Sequence, residues 1–139
     1  MGLGDDTVMI SCGENHSCAL STEGGVRCWA RDSYCAEVPG SEPIPAALSG
    51  LVDGSGAELI SAGGVRSCAF ASPGGVHCWG GNGSWDSGLS GLYPLKQLGQ
   101  AVKGLTVGGT FLCAQTTSGP VLCYGTNYYG ELGDGTNDD

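Results

Sequence analysis

A 21-residue phrase occurs three times along this chain of 139 residues. Residues 10–30 read ISCGENHSCALSTEGGVRCWA, residues 60–80 read ISAGGVRSCAFASPGGVHCWG, and residues 105–125 read LTVGGTFLCAQTTSGPVLCYG. The first two copies agree at 11 of 21 positions and the second and third at 8 of 21. The copies start 50 and 45 residues apart. A period of that length marks a solenoid, a propeller or an array, in which each unit buries against its neighbour a face that it cannot bury alone. Three units are close to the smallest number that makes a stable stack.

Within each copy the pattern is that of short strands. Ile10-Ser11 opens one strand, Ser17 to Ser21 forms a second and Val26 to Ala30 a third. Glycines stand at fixed places, at Gly24-Gly25, Gly74-Gly75 and Gly119, and are expected in the turns between strands. A Pro-containing stretch follows the first two copies, at 42–51 and 91–100, and is expected to supply a short outer strand, where a missing N–H is tolerated. Residues 46–52 have the composition for a turn of helix, but the surrounding Gly and Pro argue against it. Four short strands per 45–50 residues make one propeller blade. The fold class expected is all-β, with propeller-type blades of short antiparallel strands in three repeats and an incomplete ring. The repeats divide the chain at 1–57, 58–104 and 105–139, as one structural domain.

Eight cysteines serve this pattern. Cys18/Cys28, Cys68/Cys78 and Cys113/Cys123 recur at one offset, each pair spanning a predicted hairpin. Pairing Cys18 with Cys28 sets Leu20 opposite Val26 and centres the turn on Glu23. The other two turns centre on Pro73 and Ser118. Cysteines directly opposite on antiparallel strands lie within disulfide range. Cys12 and Cys35 are the two left over, both in the first copy, and are expected to pair with each other. Zinc is the competing use of so many thiols, but the spacings are wider than the close C-x₂₋₄-C knuckles that zinc sites favour. Four disulfides imply an oxidising, extracellular or cell-surface location. The sequons at Asn15 and Asn82 are compatible with N-glycans there.

Charge excludes some functions. Five basic and fourteen acidic residues give a formal net charge of −9, and the basic residues are scattered. A nucleic-acid partner needs a basic stripe, which is missing, and an anionic membrane surface is disfavoured on the same ground. No run of 18 apolar residues is present, so membrane insertion by a helix is not expected. The start, MGLGDDTVMI, has neither a basic nor an apolar leader region, which leaves a removed leader or a piece of a longer chain as the two expectations.

The segments "G…HSCAL…GGVRCWA" and "CYGTNYYGELGDGT" resemble the repeat of the regulator of chromosome condensation family. Tyr124-Gly125-Thr126-Asn127 and Gly130 to Thr136 match its most specific segment, with Tyr in place of Trp, and Trp29 and Trp79 keep the aromatic in the other copies. The paired cysteines are similar to those of secreted variants of this repeat, such as crinkly-type plant receptor ectodomains and bacterial surface proteins. The resemblance implies a β-propeller, usually of seven blades. Three blade cores cannot close such a ring, so both ends are expected to present unpaired sheet surface.

No residue constellation points to an enzyme. His16 and His77 are the only histidines. His16 shares its repeat position with Arg66 and Phe111, and His77 shares its own with Arg27 and Leu122, so neither is a repeated ligand. No nucleophile elbow, phosphate loop or zinc-protease motif occurs. The tail GDGTNDD lacks the alternating acidic spacing of a calcium loop and reads as a turn. Neither a metal nor a cofactor is expected. Trp29, Trp79 and Tyr124 share one position and read as blade packing. Trp85, Tyr93, Tyr128 and Tyr129 fall in turns and are the candidate contact surface. The expected function is a non-enzymatic, disulfide-stapled extracellular module whose partners are proteins, either further copies of itself, in a ring or filament, or adjacent repeats. A monomeric binding propeller acting as an inhibitor or receptor ectodomain, and a guanine-nucleotide exchange factor, are the alternatives.

Overall fold

The computed structural model describes residues 3–30, 46–47, 50–72, 75–80 and 102–138. These residues form strands, turns and loops and no helix. The first sheet consists of β1 (Thr7–Cys12), β2 (His16–Ser21), β3 (Val26–Ala30) and β4 (Ala46–Ala47), in that order. The second contains β5 (Ala57–Gly63), β6 (Arg66–Ala71) and β7 (Gly75–Gly80). The third contains β8 (Val102–Val107), β9 (Phe111–Thr116) and β10 (Val121–Gly125). Among the described residues every pairing is antiparallel, each sheet is centred on one copy of the phrase, and no sheet closes on itself. The chain is thus an incomplete propeller of antiparallel blades.

The expected register holds in all three hairpins. Cys18 faces Cys28, Cys68 faces Cys78 and Cys113 faces Cys123, and Leu20 lies opposite Val26. The first strand of each blade is longer than the Ile10-Ser11 pair suggests, because β1 begins at Thr7 and steps through a register shift between Thr7 and Met9. The same irregularity recurs between Ala57 and Leu59 and between Val102 and Gly104. The outer strand of the first blade is present in short form, as Ala46 and Ala47 pair with Cys28 and Arg27. The rest of its Pro-containing stretch, and all of 91–100, lie outside the described residues. Leu51 follows as loop and is buried rather than helical.

The core lies between blades. Leu20, Val26 and the Cys18–Cys28 sulfurs of the first sheet pack with Ile60, Ala69 and Trp79 of the second. Phe70, Val76 and the Cys68–Cys78 sulfurs of the second pack with Val107, Leu112 and Ala114 of the third. Alternate residues along a strand point to opposite faces, so the middle strand of the second sheet, β6, serves both interfaces, with Ala69 in one and Phe70 in the other.

Close approach of the innermost strands requires glycine at one place in the phrase. A Cβ on Gly63 would overlap the Val107 carbonyl oxygen of the next blade, and a Cβ on Gly13 would overlap the His16 ring and lie 2.7 Å from the Gly64 carbonyl oxygen. Glu14 N donates to that same Gly64 carbonyl at 2.7 Å.

Candidate interaction surfaces

The three repeated cysteine pairs form disulfides, with Cα atoms 4.1, 4.0 and 4.1 Å apart. Each joins the two arms of a hairpin at a facing pair. In the chain-entropy model, closing a loop of this size stabilises by about 2–3 kcal/mol. With six cysteines committed to bridges, their thiolates are not available to zinc. Cys12 is exposed, and its sulfur accepts a 3.4 Å hydrogen bond from Ser17 Oγ. Its expected partner, Cys35, lies outside the described residues.

A second tie crosses between blades at a position that the repeat alignment did not flag. Ala62 N donates to Ser11 Oγ at 2.9 Å, and Val107 N donates to Ser61 Oγ at 3.0 Å. Thr106 keeps the hydroxyl at the same position of the third copy. The signal was present as Ser, Ser, Thr at the second place of the phrase. Its meaning depends on which strands lie side by side.

His16 is not exposed, and it works between the same two blades. It is buried, and its Nε2 lies 2.6 Å from Ser67 Oγ on β6. Burial lowers its pKa below the ordinary 6.5, partly offset by a hydrogen bond with the Arg66 backbone. Arg66, at the corresponding position of the second blade, is also buried, and burial alone lowers its pKa to about 10. Beside His16 lies a hollow of about 300 Å³ lined by Gly13 to Ser17, Trp29 and Ala30. It brings one carboxylate, Glu14, near one imidazole, but Nε2 is turned to Ser67 and away from solvent.

The aromatics divide as follows. Trp79 is buried between blades, whereas Trp29 and Tyr124 at the same repeat position are half-buried. Tyr128 and Tyr129 are 70% and 92% exposed. They sit on a loop that closes around Asn127, which is fully buried. Its Oδ1 accepts from Leu132 N at 3.0 Å, and its Nδ2 donates to the Thr136 and Asp138 carbonyls, both at 3.0 Å. Glu131 Oε2 accepts from Tyr129 N at 2.8 Å. Asp134 accepts from the Thr136 N–H and hydroxyl, both at 2.8 Å, which lowers its pKa. The tail is therefore a closed turn, as its composition suggested. Asn15 is exposed just before β2, and Asn82, Trp85 and Tyr93 lie outside the described residues.

The remaining surfaces are the two ends of the stack. Val8 and Ile10 on β1 are 60% and 65% exposed, and Val121 on β10 is 59% exposed. Ile10 has the same repeat position as Ile60, which is 6% exposed; Val121 has that of Val26 and Val76, which are both 0% exposed.

Residues 9–34 match the family model of the Regulator of chromosome condensation (RCC1) repeat. No curated protein matches the chain. Among solved structures, human WBSCR16 is similar with a TM-score of 0.74 at 21% identity, over 96% of this chain and 37% of its own. Prp20p from Saccharomyces cerevisiae, described with its binding properties to Gsp1p and histones, gives 0.72 at 20% identity over 96% and 36%. The crinkly ectodomain of the Arabidopsis thaliana receptor kinase ACR4 gives 0.57 at 19% identity over 86% and 38%. The chain thus spans little more than a third of the length of the proteins it resembles. These likenesses establish the fold.

Proposed function

Since the chain carries repeats of the RCC1 type, we propose that it is a non-catalytic, disulfide-stapled propeller module of an extracellular or cell-surface compartment, and that it binds other proteins, further copies of itself included. The observation that carries this reading is the bridge repeated at one place in every blade. Two of the three bridges are buried in the inter-blade core, so the interior is built around oxidised sulfur. Thiol-keeping compartments do not favour such a core. Tyr128 and Tyr129, held out by a closed loop, have the character of anchors at protein interfaces. Similarity to a receptor-kinase ectodomain supports the compartment, and the binding properties described for Prp20p support protein partners. Nucleotide exchange on a small GTPase is the reading the bridges disfavour.

The test is a thiol count. Protein purified from its native source under a trapping alkylator should carry no label on Cys18, Cys28, Cys68, Cys78, Cys113 or Cys123. Full labelling of those six would overturn the compartment and, with it, the stapled-module reading.

A further inference from the structure

We propose that Met9 is an oxidant-sensitive modification site: a hydroperoxide converts its thioether to the sulfoxide, and the sulfoxide loosens the seam where the first and second blades meet. The inference goes beyond the binding-module reading and does not depend on it. Met9 and Met1 are the only methionines of the chain. The register shift between Thr7 and Met9 sets Met9 opposite Leu20, and a bulge of this kind re-aims the side chain that follows it. Met9 then packs at the margin of the cluster that joins the two blades, which contains Leu20, Ile60 and Trp79. Its sulfur also accepts a hydrogen bond of 3.4 Å from Ile60 N. β5 is an edge strand of its sheet, and two of its N–H groups, those of Ile60 and Ala62, are met by side chains of β1, Met9 Sδ and Ser11 Oγ. A thioether is the weaker of these two acceptors.

Met9 is half-buried, and that exposure belongs to its place in the repeat. Leu59 has the same repeat position in the second blade, which has a blade on each side, and it is half-buried too. A small oxidant therefore reaches this position within a stack and not only in its first blade. The second seam offers the oxidant nothing comparable. Leu59 packs there against Val107, Leu112 and their neighbours and carries no sulfur, while the tie across that seam, Val107 N to Ser61 Oγ, ends on a hydroxyl.

In the reaction a sulfur lone pair attacks one oxygen of the hydroperoxide. The S–O bond forms and the O–O bond breaks. Sulfur gives up two electrons, and the second oxygen leaves with a proton, as water from hydrogen peroxide or as an alcohol from an organic hydroperoxide. The product is polar and larger by one oxygen atom. Turned to Ile60 N, that oxygen stands between β1 and β5 and pushes them apart. Turned to Leu20 and Trp79, it lies against apolar surface without a donor. Either placement weakens the seam.

The experiment treats the full, disulfide-bonded chain with dilute hydrogen peroxide after free thiols have been alkylated, and compares it with the untreated chain and with Met9→Leu. Peptide mass should place one added oxygen on Met9 while the chain is still folded. The Ile60 and Ala62 amide hydrogens should then exchange tenfold faster or more, that of Val107 at the second seam should keep its rate, and the denaturation midpoint should fall. Met9→Leu, which gives the first blade the residue of the second, should keep its midpoint through the same treatment. Should that variant fail to fold, the wild type before and after peroxide decides the matter alone. Sulfoxide at Met9 with unchanged Ile60 exchange and an unchanged midpoint overturns the proposal. So does a Met9 that takes up oxygen only as fast as the whole chain unfolds, and so does an equal fall of the midpoint in peroxide-treated Met9→Leu.

Discussion

Gly63 shows how one atom sets the spacing of two blades. Its missing Cβ leaves room for the Val107 carbonyl of the next blade, a backbone atom that cannot swing aside. Gly63→Ala is expected to destabilise the fold by about 1–3 kcal/mol, the usual range for overpacking. Gly109→Ala, where a Cβ would meet nothing within 4 Å, should be close to neutral. Chemical denaturation of the two variants checks this, and equal midpoints would refute the contact. His16 gives a second residue-scale prediction. Ser67 and Arg66 of β6 and the Gly13–Ser17 turn with Glu14 surround it, and its folded pKa lies below 6.5 because burial disfavours the imidazolium. The unfolded chain therefore binds a proton that the folded one refuses. The contribution of neutral His16 is fully present above pH 6.5, declines as pH falls below it and levels off beneath the folded pKa. Denaturation midpoints at pH 7.5, 6 and 5 should fall for the wild type and fall less for His16→Gln. Parallel slopes would mean that His16 titrates freely.

At the scale of an element, each hairpin is a bridge and its two strands, yet the three bridges differ in access. Cys18–Cys28 and Cys68–Cys78 are buried between blades, and Cys113–Cys123 lies half-exposed on the last sheet. Reduction requires a nucleophile, a thiolate or a phosphine, to reach a sulfur. Under a limiting phosphine or dithiol at dilute protein, Cys113–Cys123 should open first, read by alkylation and peptide mass, and simultaneous opening of all three would contradict the burial order. The 126–138 loop depends instead on one amide. Asn127→Ala removes three hydrogen bonds of 3.0 Å from a buried amide to half-buried or exposed backbone partners, at about 0.5–1.5 kcal/mol each. Exchange of the Leu132 amide hydrogen should accelerate tenfold or more, while exchange in β5–β7 stays unchanged. Much of this scale was legible in advance. The facing cysteines, Leu20 opposite Val26, the turns and the aromatic position all follow from a period-two pattern within 21 residues. The role of Asn127 did not follow, because its partners, Leu132, Thr136 and Asp138, are defined only once the loop has folded back on it.

At the scale of the whole molecule, stability comes from stacking. No blade buries its own face, and each hydrophobic cluster joins two sheets. Denaturation should accordingly be one cooperative event for the first and second blades, with the third, whose middle strand β9 is less buried than β2 and β6, loosening at lower denaturant. Hydrogen exchange resolved by strand tests this, and uniform protection of β2, β6 and β9 would contradict it. The phrase repeated in the sequence determined the strands, their register and the three bridges, because facing positions in a hairpin are a matter of local counting. Tertiary structure alone decided which copies of an identical position are buried. Val26, Val76 and Val121 are one residue in the repeat and two fates in the fold, since burial belongs to the neighbour that covers a side chain and not to the side chain itself. The same holds for His16, in the sequence only a position shared with Arg66 and Phe111, which is an inter-blade tie because β6 places Ser67 against it.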